Sequence, residues 1–214
     1  TDLVDSTCPA YHRKFDVKKL MWEFNFMLDY YVDTFCDSPL ENSARKELSE
    51  VFASLCESLA AEKLYFTHRD YHSRNLMFDQ GHLVLIDFQD ARMGPCQYDL
   101  VSLLKDSYVK IDDTLAEELI DFYIQLKEKE EGRKVDREKF DLIFDGMSIQ
   151  RNLKAIGTFA YQSVKKNNNG YKNFIAPTLS YVRKTLRRRF KDTFLQKVLL
   201  KYIPGLDGNE ACNL

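Results

Sequence analysis

Apolar residues recur along most of the chain at helical spacing, with one interruption where they gather into two short runs. From Asp16 to about Phe35 the run VKKLMWEFNFMLDYYVDTF puts Leu20, Phe24, Met27 and Tyr31 on one stripe. That spacing predicts an amphipathic helix ending near Cys36. Ser38-Pro39-Leu40-Glu41 offers an N-cap serine, a proline at the first helical position and a glutamate at the third. Such a start signal suits a short turn or a helix running to about Glu62, with Leu48, Val51, Phe52, Leu55 and Leu59 on its buried face. Between Leu64 and Phe88, NLMFDQGHLVLIDF holds two apolar runs divided by Asp79-Gln80-Gly81-His82, which predicts a β-hairpin with glycine in its turn. After Pro95 the helical period returns over Tyr98 to about Tyr108, Asp113 to about Lys127, Asp136 to about Val164 and Thr178 to about Lys201. The polar, glycine-containing stretches KEKEEGRKV and KKNNNGYKN read as loops between them.

Length and composition narrow the picture. The 214 residues, 44% apolar and 13% aromatic, support one sizeable domain, large enough for an enzyme. A net charge of -2 gives no electrostatic reason to expect nucleic acid or a membrane surface as partner, so any charged site must be local. Five cysteines, at 8, 36, 56, 96 and 212, are scattered and odd in number, which points to reduced, packing thiols in a cytoplasmic protein rather than a disulfide framework. No apolar run approaches the ~18 residues of a membrane span, and the first residues carry no signal-peptide core.

The chemistry concentrates in HRDYHSRN, residues 68 to 75, which precedes the hairpin. It could be a metal site, a polar turn or a catalytic loop. Read as a zinc site, HxDxH meets the difficulty that a catalytic metal normally wants three protein ligands and nothing else nearby offers one except Asp87. Closing the hairpin brings Asp70, Asn75 and Asp87 to one end of a small sheet. Two oxygen ligands, Asn75 and Asp87, with Asp70 as a separate carboxylate, suit magnesium-bound phosphate beside an attacking hydroxyl. Phosphoryl transfer needs that division, because its catalysis is positioning of the nucleophile and neutralisation of phosphate charge.

The loop His68-Arg69-Asp70 with Asn75, followed by Ile86-Asp87-Phe88, resembles the catalytic loop and metal-binding segment of the protein-kinase-like fold. Tyr98-Asp99-Leu100 follows shortly, and no activation segment or APE motif is present, so the chain is more similar to the aminoglycoside phosphotransferase and choline kinase branch. Within it, HRDYHSRNLM, IDFQDARMGPCQYDLVSLLKD and IQRNLKAIGTFA resemble the sugar kinases that phosphorylate the anomeric hydroxyl of N-acetylmuramate or N-acetylglucosamine. The resemblance runs from about residue 15 to 190.

It implies an α+β, mainly helical fold: a protein-kinase-like C-terminal lobe with a small β-hairpin carrying the catalytic segment. Residues 1–15 would follow the hinge, 16–203 form the lobe and 204–214 a tail. The implied activity is ATP-dependent phosphorylation of a small-molecule alcohol, a sugar or amino sugar. Aminoglycoside or choline-type acceptors, or a non-catalytic binding module, are the alternatives. Asp70 would orient or deprotonate the acceptor hydroxyl, and Asn75 and Asp87 would hold Mg2+ against the ATP phosphates. His72 and Arg74 would touch phosphate, His68 would support the loop, and Asp99 would cap or brace it. Gln89 stands where protein kinases have glycine, which opens the question of a second metal contact. No GxGxxG or VAIK-like run exists, so a nucleotide-binding N-terminal lobe is expected to be missing in cis and these residues alone to be inactive.

The acceptor side rests on the helix from Asp136. Its stripe Phe140, Ile143, Phe144, Met147 turns polar at Gln150, Arg151 and Lys154, beside an apolar stripe of Ile149, Leu153 and Ile156. Either the polar residues line a pocket, or the helix simply turns its solvated side outward. The likeness of QRNLKAIGTFA favours Gln150 and Arg151 as donors to a sugar. The basic run RKTLRRRFK reads as a solvated helix face.

Overall fold

The computed structural model describes residues 7–208 and 212. It is mainly helical, with two small antiparallel sheets. Asp16 caps α1 (Val17–Met27) by accepting the Lys19 N–H at 2.7 Å, and the helix then widens to a π-helical segment over Leu28–Phe35. Leu20, Phe24, Met27 and Tyr31 are all buried, as their spacing predicts. The second helix, α2 (Asn42–Ala60), starts later than Ser38-Pro39 suggests: Glu41 holds the cap position without a side-chain bond. Leu48, Val51, Phe52 and Leu59 are buried on its inner face and Leu55 is half-buried. Phe52 stacks on Phe24 with ring centroids 3.8 Å apart.

Sheet structure is richer than the single expected hairpin. β2 (Leu76–Asp79) and β3 (His82–Leu85) pair as Leu76↔Leu85 through Asp79↔His82. Their two-residue turn needs left-handed backbone at both Gln80 (φ 47°) and Gly81 (φ 83°), the reason glycine sits there. A second pair joins β1 (Leu64–Thr67) to β4 (Arg92–Pro95), from Leu64↔Pro95 to Thr67↔Arg92. The chain before α1 lies along β4: Phe15 donates its N–H to Met93 O and Met93 donates to Arg13 O, each at 2.9 Å.

The remaining helices are α3 (Gln97–Leu104), α4 (Asp113–Glu131), α5 (Arg137–Lys166), α6 (Ile175–Arg189) and α7 (Phe194–Tyr202). The stretch KEKEE stays helical, where Glu131 pairs with Lys127 at 2.6 Å across one turn. A single helix over Thr178–Lys201 is corrected to two. Thr193 accepts the Gln196 N–H and starts α7, after a break in which Asp192 is left-handed. Of the expected tail, residues 204–208 and 212 are described; Leu206 is buried, and Pro204 O accepts from Tyr31 Oη at 2.9 Å. Five reduced thiols are corrected too: Cys36 and Cys212 form a disulfide, while Cys8, Cys56 and Cys96 are free. Among the described residues no helix is long and apolar enough to cross a membrane.

The thirty-residue α5 is the axis of the molecule, packed against α1, α3, α6 and the π-helical segment. Gly157 is what lets it approach α1, since a Cβ there would stand 2.6 Å from Met27 Cα.

Candidate active site

Two connections run between the same two sheets. The chain from β1 to β2 is the loop 68–75, and the chain from β3 to β4 is the segment 86–91. They are stitched side by side. Ile86 N–H donates to Asn75 O at 3.1 Å, and Ile86 O accepts from His68 Nε2 at 3.0 Å. That carbonyl has no proton, so Nε2 is the donor, and the buried Nδ1 is without a partner. Asn75 completes the junction: its Nδ2 donates to Asp70 O at 2.9 Å and to Asp87 Oδ2 at 3.4 Å. Asp70, Asn75 and Asp87 are thus brought together.

The loop owes its shape to carboxylates beneath it. Asp99, in the first turn of α3, accepts the N–H of His68 at 2.6 Å and of Arg69 at 2.9 Å. Burial pushes its carboxyl above the ordinary range, although those two donors pull it down. Asp106, just past α3, accepts Ser73 N–H at 2.9 Å and Tyr108 N–H at 2.8 Å. Arg69 (φ 80°) and Asp87 (φ 69°) both hold left-handed backbone, a conformation that costs about 1–3 kcal/mol and persists only where surroundings enforce it. For Arg69 the enforcement is visible: its guanidinium meets Asp90 at 2.6 Å and the buried Glu23 at 3.7 Å.

Asp70 opens onto a cavity of about 300 Å³ that also exposes His72, Asp87, Arg151, Lys154 and Tyr171. Burial pushes the Asp70 carboxyl up, but Lys154, Arg69 and Arg151 outweigh it and hold it below the usual range. His72 is pushed down by burial and by Arg151, so a neutral imidazole faces the cavity at pH 7. Arg74 points elsewhere: its guanidinium lies 3.9 Å from the Tyr108 ring and 5.0 Å from Phe174, and it does not line the cavity. The polar side of α5 does not turn to solvent. Arg151 is buried in the cavity wall, its Nε donating to Ser102 Oγ at 3.2 Å and its Nη1 without a partner. Gln150 is fully buried, donates to Glu23 Oε2 at 2.9 Å, and is absent from the cavity lining.

The donor set suits magnesium. Asp87 is an exposed carboxylate, and Asn75 spends its amide nitrogen on the chain, which leaves its amide oxygen open to a cation. Two protein oxygens are enough for an ion that keeps water and phosphate in its shell. Gln89 donates Nε2 to Asp87 Oδ1 at 2.5 Å, so it braces the carboxylate with its nitrogen. Among the described residues no group of three or more His, Cys, Asp or Glu could hold a metal, so the HxDxH zinc reading falls. Sequence reasoning missed Glu23, Asp90 and Asp106. Glu23 was the legible one, a carboxylate within a stripe otherwise apolar.

An acidic loop carboxylate thus faces a cavity next to a carboxylate and amide pair, on a helical body with small sheets. The sequence model of the phosphotransferase enzyme family matches residues 13–135, more than half of the chain, and the chain belongs to that family. Its curated relatives include the N-acetylmuramate/N-acetylglucosamine kinases of Neisseria meningitidis serogroup B, Pseudomonas putida and Pseudomonas aeruginosa. The first is 30% identical over 82% of this chain and 53% of the relative. The second is 28% identical over 87% and 54%. The third is 29% identical over 96% and 60%. The chain therefore spans little more than half the length of the relatives it matches.

Proposed function

We propose that the chain is the acceptor-binding and metal-binding part of an ATP-dependent kinase that phosphorylates a hydroxyl of an amino sugar, of the N-acetylmuramate or N-acetylglucosamine type. The observation that carries this reading is the charge of the cavity. Asp70 shares it with Arg151 and Lys154 and with the aromatic walls Tyr108, Phe159 and Tyr171. A polycationic aminoglycoside or a choline headgroup would meet like charge there, whereas a neutral or carboxylate-bearing sugar would not. The names of the relatives agree with that preference.

In this mechanism Asp70 accepts the proton of the acceptor hydroxyl as its oxygen bonds to the γ-phosphorus of ATP and ADP departs. Asn75 and Asp87 would hold magnesium, which would supply neutralisation of phosphate charge. Arg151 orients the acceptor; Gln150, bonded to Glu23 and outside the cavity lining, does not touch it. The nucleotide is held by further chain of the full-length protein, seated over the exposed apolar hairpin, and residues 1–214 alone are inactive. Use of ATP supports a cytoplasmic protein, whereas the Cys36–Cys212 disulfide is unusual in that reducing compartment. Magnesium-dependent ATP consumption by the full-length protein, with N-acetylmuramate, N-acetylglucosamine, choline and an aminoglycoside in parallel, tests the proposal. Sugar phosphate is expected from one or both amino sugars. Turnover with choline or the aminoglycoside alone would overturn it, as would no turnover at all.

A further inference from the structure

The scheme above uses Lys154 only for the charge it gives the cavity, yet its Nζ stands 3.4 Å from Asp70 Oδ1. The pair joins distant parts of the chain, the loop after β1 and the second half of α5. Gly157, one turn further along α5, sets the closeness of that helix to Met27, so the backbone from which Lys154 reaches Asp70 is placed by helix packing. The side chain is partly buried and lines the same cavity as Asp70.

The other charged groups around this corner mostly hold partners of their own, although Nη1 of Arg151 has none. From the loop itself, Arg69 is held by Asp90 and Glu23, and comes no closer than 3.9 Å to Asp70 Oδ2. His72 offers a neutral ring at pH 7. From α5, Arg151 is turned toward Ser102. From α3, Asp99 spends both oxygens on the loop backbone. From α1, Glu23 takes Lys19 at 3.2 Å and Gln150. Asp70 therefore has one oxygen under an ammonium, and among the described residues no hydrogen bond reaches the other.

We propose that Lys154 is a positioning residue of the transfer reaction: its ammonium pins Oδ1 of Asp70, so that Oδ2 is the oxygen presented to the acceptor hydroxyl. This rests on the kinase reading given above. A carboxylate free to rotate offers either oxygen at varying angles, and a displacement of about 1 Å at a reacting group costs on the order of a hundredfold in rate. The proton of the acceptor hydroxyl passes to Oδ2 while the hydroxyl oxygen bonds to phosphorus and the bond to the ADP oxygen breaks. Lys154 takes no proton from the hydroxyl: burial pulls its ammonium below the usual lysine range, while Asp70 beside it holds it up.

The test uses the full-length protein, Mg-ATP and the two amino sugars, with Lys154→Met, Lys154→Arg and wild type compared. Lys154→Met is expected to lower kcat by about a hundredfold, with both KM values within about threefold of wild type and the melting temperature unchanged. Lys154→Arg, which keeps the charge, is expected to recover about tenfold of that loss. A kcat for Lys154→Met within about threefold of wild type overturns the role while leaving the kinase reading in place, as does a loss confined to KM. A loss that Lys154→Arg does not relieve, together with a lowered melting temperature in both variants, reduces Lys154 to a structural residue and also overturns it. Absence of turnover in the wild type removes the kinase reading first, and this role with it.

Discussion

The loop 68–75 and the hairpin 76–85 are neighbours in sequence and opposites in environment. The loop is polar, yet its backbone is tied down by Asp99, Asp106 and Asn75 into the helical body. The hairpin is apolar, yet it stands in solvent: Phe78 is 80% exposed, Leu83 58%, and Phe88 just beyond it 66%. An isolated two-stranded hairpin is marginal in water, and a contiguous apolar patch of this kind marks a surface made to be covered. The contrast teaches that the helical body holds Asp70 and its cavity by itself, whereas Asp87, the proposed metal ligand, hangs from an element whose apolar faces the described residues leave bare.

Four substitutions break or sharpen that contrast. Asp87→Asn is expected to have the largest effect, lowering phosphoryl transfer by the full-length protein by about a thousandfold or more, with an unchanged circular dichroism spectrum; near-normal turnover would end the metal assignment. Asp99→Ala attacks the loop's bracing and leaves two backbone N–H groups unpaired, so a loss of about 3 kcal/mol in urea unfolding is expected. Arg74→Ala removes a cation over two rings and should cost about 0.5–1 kcal/mol, with KM for ATP unchanged. A raised KM for ATP in that variant would restore the phosphate contact that the residue's position in the sequence suggests. Phe78→Ser should change the stability of residues 1–214 by no more than about 0.5 kcal/mol and make them less prone to associate. In the full-length protein the same change should cost more, and equal effects in both would argue against a covered hairpin.

Much of this was legible in order of residues. The hairpin followed from Gln80-Gly81 between two apolar runs, and the convergence of Asp70, Asn75 and Asp87 followed from closing it. The caps at Asp16 and Asp136 lie where polar residues precede a helical stripe. What was not legible depends on tertiary partners. β1 and β4 have four residues each, and β4 ends in Gly94-Pro95, which argues against a strand until Phe15 and Arg13 are seen alongside it. Gln150 and Arg151 are adjacent and chemically alike as donors, but a 100° step around α5 sends one to Glu23 and the other to the cavity. The loss of helix between Arg189 and Phe194 hinges on a single threonine cap. The pairing of Cys36 with Cys212 joins residues 176 apart in sequence, a separation no local pattern reports.

That disulfide also makes most of the molecule a closed ring, with the loop, the hairpin and α5 all inside it. A protease that cuts once between Cys36 and Cys212, in the hairpin for example, opens the ring without releasing a piece. Such a nicked molecule should run as one band on a denaturing gel until thiol is added, and then as two.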